Sequence, residues 1–137
     1  MADIVVIGAG GHIGYELCLS LVEQGHLVMA LDFAFPPGVS GDMPDKPDNF
    51  LIELADFSDA MAMQEWLDKA QIVFHLGSTH LQVYAEDLPQ WNADAASVKL
   101  LVDFAANRGV ERFIHVSSTA VYGDLAGKRA NEETAAT

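Results

Sequence analysis

Residues Asp3 to Leu17 read DIVVIGAGGHIGYEL: a β-branched apolar run, a cluster of glycines, then the opening of an amphipathic pattern. Ile4 to Ile7 predicts a short buried strand. Ile13, Leu17, Leu21 and Val22 recur at helical spacing until Gly25 supplies a C-terminal stop. The glycines therefore fall between a strand and a helix, spaced Gly8-x-x-Gly11-x-x-Gly14 with Gly10 among them. In that context each has a physical use. The first permits a tight turn out of the strand, the middle ones let a pyrophosphate approach the backbone, and Gly14 lets the helix pack closely on the sheet. Exposed N–H groups and the helix dipole then meet the phosphates. A glycine-rich turn with no ligand is the competing reading of the same residues.

The rest of the chain extends this pattern. Leu27 to Leu31 predicts a second buried strand ending in Asp32, and Phe50 to Leu54 a third ending near Asp56. Between them Pro36, Pro37, Gly38, Gly41, Pro44 and Pro47 exclude regular structure and mark a long loop. Ser58 is the expected N-cap of a helix carrying Met61, Trp66 and Leu67. Gln71 to Leu76 predicts a fourth strand, followed by Gly77 and Ser78. Gln90 to Asn107 predicts a helix with Leu100, Leu101 and Phe104 on its apolar side, stopped at Gly109. Arg112 to Val116 predicts a fifth strand leading into Ser117, Ser118 and Thr119. Nearly continuous apolar strands alternating with helices call for a parallel sheet covered on both faces, and right-handed crossovers make it an α/β, doubly wound domain.

Asp32 raises the weight of the glycine pattern. It lies at the end of the second strand, roughly 20 residues beyond the glycines, where a carboxylate accepts from both ribose hydroxyls of a dinucleotide. The same charge repels a 2′-phosphate, and no Arg or Lys follows closely, so the expected cofactor is NAD in preference to NADP. Asp56 has two readings: acceptor for the adenine amino group, or cap of the helix beginning near Ser58.

Composition sets outer limits. The 137 residues suit one domain with a real core, and with 50% hydrophobic and 20% charged residues the chain is not of the disordered class. A net charge of -13 repels nucleic-acid phosphates and anionic membranes, so neither is an expected partner. Cys18 is the single cysteine, which excludes an internal disulfide and favours a reducing, cytoplasmic location. No basic segment precedes the first apolar run, which is too short to span a bilayer. The five histidines show no metal-ligand spacing, and His75 reads as a packed side chain in an apolar strand. Cys18 reads as core, and Lys128 to Thr137 as a solvated or frayed terminus.

Taken in order, the glycine turn, Asp32, ADFSD around Asp56, FHLGS at Phe74 to Ser78, Asn92, and HVSSTAVYG at His115 to Gly123 followed by Glu132 resemble the extended short-chain dehydrogenase/reductases, the NAD-dependent epimerase/dehydratase family. The resemblance covers essentially the whole chain. It implies a Rossmann-type domain with the cofactor across the carboxyl ends of the strands, and nucleotide sugars or related carbonyl and alcohol compounds as substrates. It places Gly8, Gly11, His12, Ile13 and Gly14 at the pyrophosphate turn, Asp32 at the adenosine ribose, and Asp56 with Phe57 at the adenine. Leu76, Gly77 and Ser78 match the strand end along the cofactor, Asn92 the family asparagine of the following helix, and Ser117 the nicotinamide side. Ser118 aligns with the catalytic Ser/Thr that hydrogen-bonds the reacting oxygen, and His80 stands where some relatives have a lysine.

One departure is decisive for activity. The family exchanges a proton through a tyrosine whose phenol pKa is lowered by a lysine at Tyr-x-x-x-Lys. Here Tyr15, Tyr84 and Tyr122 are followed at that spacing by Leu19, Leu88 and Ala126. The resemblance thus implies an incomplete domain over residues 1–137, its sheet stopping after about five strands, without the C-terminal substrate-binding region. The expected function is the NAD-binding portion of an epimerase, dehydratase or reductase, inactive by itself. The alternative is a non-catalytic NAD-binding sensor or partner subunit. Lacking the helix that carries the catalytic pair in relatives, Val98, Leu101 and Val102 lose cover, and a homo-oligomer is expected to bury them.

Overall fold

The computed structural model describes residues 3–57, 59, 61–77 and 88–136, with side chains for all of these except 88–94 and 120. Among these residues five strands form one sheet: β1 (Asp3–Ile7), β2 (Leu27–Asp32), β3 (Phe50–Leu54), β4 (Ile72–His75) and β5 (Arg112–His115). Their spatial order is β3-β2-β1-β4-β5 and every pairing is parallel. The helices are α1 (His12–Glu23), α2 (Gln64–Leu67) and α3 (Leu88–Asn107), with a 3₁₀ turn at Thr119–Tyr122. This is the doubly wound Rossmann-type arrangement expected from the alternating pattern.

The register explains the run that opens the chain. Val5 pairs with Met29 on one side and Val73 on the other, so β1 is central and buried on both faces. Ile4 and Val6 join Cys18, Leu21 and Val28 in the core under α1. Val5 and Ile7 join Met29, Leu31, Val73, Leu101 and Ala105 in the core on the α3 face. A strand packed on both faces needs IVVI rather than alternation. The edge strand β3 does alternate, with Phe50 and Ile52 buried and Leu51 and Glu53 exposed.

Cys18 is fully buried in α1, and burial pushes its thiol up to about 12, so it stays protonated as a packing group rather than a nucleophile. The long proline-rich loop is tied down near its end. The Asn49 side-chain amide donates to the carbonyls of Val22 (3.1 Å) and His26 (2.8 Å), and Lys46 Nζ donates to the Phe50 carbonyl.

Three local expectations change. Ile13 is 67% exposed rather than part of the apolar stripe of α1, whose buried residues are Gly14, Cys18 and Leu21. The helix expected near Met61 is the single turn α2. Its approach is organised by Asp59 Oδ1, which accepts from the N–H groups of Met61 (3.0 Å) and Ala62 (3.2 Å), while the Ser58 cap lies outside the described residues. On α3 Leu101, expected to lose cover together with Val98 and Val102, is instead fully buried in the core beside Ala105, and it is Leu100 and Val102 that are exposed, at 47% and 40%. A one-residue step turns a helix by about 100°, so adjacent leucines cannot both face the sheet.

Candidate functional site

In a fully parallel sheet all strands end at the same edge, and that edge collects most of the candidate residues. The chain winds from β1 through β2 to β3 on one side, and β4 and β5 lie on the other. The order therefore reverses between β1 and β4, where a crevice opens in doubly wound folds. Gly8 sits at that reversal. It has φ +86°, a conformation favourable only for glycine, and its N–H donates to the Leu31 carbonyl at 2.9 Å. A Cβ at Gly8 would lie 2.4 Å from the Gly77 nitrogen, so the turn after β1 and the strand end after β4 meet backbone to backbone.

The other glycines divide by what surrounds them. A Cβ on Gly14 would lie 2.1 Å from the Gly8 carbonyl oxygen, so α1 rests directly on the turn. A Cβ on Gly10 would lie 2.0 Å from the Ala34 carbonyl oxygen. At Gly11, among the described residues and apart from its own chain neighbours, a Cβ would meet only Gly8 O at 3.4 Å, ordinary contact. Packing thus accounts for Gly8, Gly10 and Gly14 but leaves Gly11 exposed with room beside it. Gly11 is also the N-cap of α1, with no side-chain cap bond, and no acidic residue occupies the first turn. His12 and Ile13 follow it, both exposed, as the first helical residues.

Asp32 closes one side of this turn. Its Oδ2 accepts from the Gly10 N–H at 2.8 Å and its Oδ1 from its neighbour Phe33 N–H at 2.7 Å. The carboxylate is half-buried and held by two backbone donors, which fixes its orientation beside the glycines. The Phe33 ring lies 4.3 Å from that of Phe57, which is buried beyond β3 and packs over Gly77, where a Cβ would come within 2.7 Å of the ring. Ser97 of α3 donates from Oγ to the Phe57 carbonyl at 3.0 Å. Asp56, just before it, is exposed at the same edge.

Ser117 and Ser118 follow β5, exposed at this edge, and precede the 3₁₀ turn. Beyond them a cavity of about 340 Å³ is lined by Thr119, Tyr122, Gly123, Leu125, Asn131 and Glu132 among others, bringing the two ends of the SSTAVYG…Glu132 pattern together. A second cavity, about 630 Å³, lies beside Phe33, Phe35, Val39, Ile52 and Leu54. Leu76 and Gly77 are half-buried at the end of β4. Ser78 and His80 lie outside the described residues. Asn92 is placed only as a backbone position in α3. Among the described residues no three His, Cys, Asp or Glu side chains are grouped to hold a metal, and no helix is long and apolar enough to cross a membrane.

Two features escaped the sequence reading: Gly10 as the donor that orients Asp32, and Phe33 as an aromatic partner of Phe57. The only local signal for either was adjacency, Gly10 within the glycine cluster and Phe33 directly after Asp32.

Comparison with known proteins agrees with this geometry. The model of the NAD dependent epimerase/dehydratase family matches residues 4–137. The dTDP-glucose 4,6-dehydratase of Streptomyces antibioticus is 27% identical over 132 residues, covering 90% of this chain and 39% of the dehydratase. The Bordetella bronchiseptica enzyme WbmG, solved in complex with NAD and UDP, has the same fold, with a TM-score of 0.80 at 19% identity, over 99% of this chain and 44% of WbmG. MoeE5, solved with UDP-glucose and NAD, gives a TM-score of 0.73 at 25% identity over 98% of this chain and 42% of its own. The chain therefore spans about two-fifths of the length of these three proteins.

Proposed function

The chain belongs to the NAD dependent epimerase/dehydratase family, and from that premise we propose that its strand-end edge binds NAD(H) as the cofactor-binding portion of an epimerase, dehydratase or reductase. The observation that carries this reading is Gly11. It is a glycine that packing among the described residues does not require, at the start of a helix with no side-chain cap, beside a carboxylate already oriented by Gly10. Open space at that point suits a pyrophosphate lying against the backbone N–H groups of Gly11, His12 and Ile13, with Gly8 and Gly14 shaping the turn.

On this reading Asp32 accepts from the adenosine ribose hydroxyls, and Asp56 and Phe57 border the adenine. Leu76, Gly77, Ser78 and Asn92 flank the cofactor toward Ser117. Ser118 hydrogen-bonds the reacting oxygen of the substrate. The cofactor supplies hydride transfer, while these side chains bind and orient. None of Tyr15, Tyr84 or Tyr122 has a lysine four residues on, so proton exchange by a lysine-assisted tyrosine is not supplied within these residues. The substrate class proposed is a nucleotide sugar or a related carbonyl or alcohol compound, supported by the UDP-glucose bound in MoeE5.

Calorimetry with NAD and NADP tests the assignment. NAD is expected to bind at least about tenfold more tightly, since a 2′-phosphate would face the Asp32 carboxylate. Preference for NADP, or no binding by a folded sample, would sink it. The exposed Leu100 and Val102 on α3 support self-association as well. Sedimentation velocity is expected to show a species heavier than the 14.8 kDa chain, and a monodisperse monomer would count against this.

A further inference from the structure

Among the described residues, His75 is the one polar side chain in the buried set, 2% exposed in a core otherwise built of apolar groups. A buried imidazole is costly unless its polar atoms are satisfied. One of them is met across the sheet: His75 Nδ1 lies 3.1 Å from Nδ1 of His115, a residue 40 positions away. The two are register partners at the last rung of the β4–β5 ladder. Their rings are tilted at 42° with centroids 5.1 Å apart, a hydrogen-bonding approach rather than a stack. The His75 ring is further stacked on Phe113 and meets the edge of Phe57, the ring that covers Gly77.

Position gives this contact its meaning. The residues after His75 are Leu76 and Gly77, and those after His115 are Val116, Ser117 and Ser118. Gly77 abuts Gly8 of the turn, so a shift of this strand end is felt at the reversal between β1 and β4. Beyond the last rung, the Val116 N–H still donates to the His75 carbonyl at 3.0 Å. We propose that His75 and His115 are a positioning pair, whose ring-to-ring hydrogen bond sets the spacing between the strand end bearing Gly77 and the strand end bearing Ser117 and Ser118. The inference rests on the cofactor reading above and adds to it the device that aligns the two halves of the floor beneath the nicotinamide end. Such a bond requires that one ring carries hydrogen on Nδ1 and the other presents a bare Nδ1 with its hydrogen on Nε2.

The test uses the replaceable nature of that nitrogen. An asparagine amide reaches the place of Nδ1, whereas a glutamine amide reaches past it toward Nε2. His115 is exposed, so both His115→Asn and His115→Gln are expected to keep the fold, checked by circular dichroism and thermal melting. His115→Gln is expected to weaken NAD binding about fivefold to tenfold, the scale of one net hydrogen bond, and His115→Asn to restore it to within about twofold. A purely structural role would rank the two by melting temperature, not by amide reach. Nitrogen-15 NMR of the ligand-free chain, with His75 and His115 assigned among its five histidines, is expected to show hydrogen on Nδ1 in one of the two and a bare Nδ1 in the other. Equal NAD affinity for wild type and His115→Gln, no rescue by His115→Asn, or both rings as Nε2–H tautomers overturns the pair alone. A folded wild-type chain that ignores NAD overturns the cofactor reading and the inference with it.

Discussion

Gly14→Ala is expected to lower folding stability by about 2–3 kcal/mol, the range for forcing extra atoms into a packed contact. In an ordinary helix interior the same change is stabilising by about 1 kcal/mol, because alanine has less backbone freedom to lose. Here the sign reverses. The new methyl would stand 2.1 Å from the Gly8 carbonyl oxygen and 3.0 Å from the Ala9 Cα, both backbone atoms of a turn that cannot move aside without disturbing β1. Helix α1 would have to lift, opening the core formed by Cys18 and Leu21 against Ile4, Val6 and Val28. Urea denaturation measures the effect, and a variant as stable as wild type would refute the packing account. Gly11→Ala is the control. Among the described residues its Cβ meets no atom closer than 3.4 Å, so stability holds within about 0.5 kcal/mol, as at most uncrowded surface sites, while NAD binding falls.

Asp32→Ala is expected to reduce NAD affinity by about 10-fold to 100-fold, the scale of losing a hydrogen bond to a charged group. Two effects combine. The ribose hydroxyls lose their acceptor, and the N–H groups of Gly10 and Phe33 lose the carboxylate that now receives them at 2.8 and 2.7 Å. The second effect loosens the glycine turn itself, so part of the loss comes through Gly10 rather than through the ligand. NADP binding is expected to fall less, because removing the charge also removes its repulsion of the 2′-phosphate. Paired calorimetric titrations decide it. Unchanged NAD affinity would take Asp32 out of the site.

The parts of this molecule legible in the sequence are those governed by neighbours in the chain. IVVI, the glycine cluster and Gly25 place β1, the turn and the end of α1, because strand burial, tight turning and helix termination are local demands. The order of apolar runs was enough for a parallel sheet. What stayed hidden was set by partners far apart: Gly10 with Asp32 across 22 residues, Ser97 with Phe57 across 40, and His75 with His115 across 40. Ile13 misleads for a related reason. Its helical spacing suits the core, but it sits on the first turn of α1 at the open edge of the sheet, where it is 67% exposed among the described residues. Leu100 and Leu101 are chemically equivalent, and only the rotation of α3 against the sheet decides which one is buried.

The stacking of Phe57 over Gly77 has a consequence for how this sequence can change through descent. An alanine at position 77 would drive its methyl to 2.7 Å from the phenyl ring, while a smaller residue at 57 would leave a gap above an unchanged glycine. The first route passes through a clash at the strand end and the second through a void that costs only packing. Replacement at 77 therefore requires the ring at 57 to shift or shrink, which couples the two positions in descent.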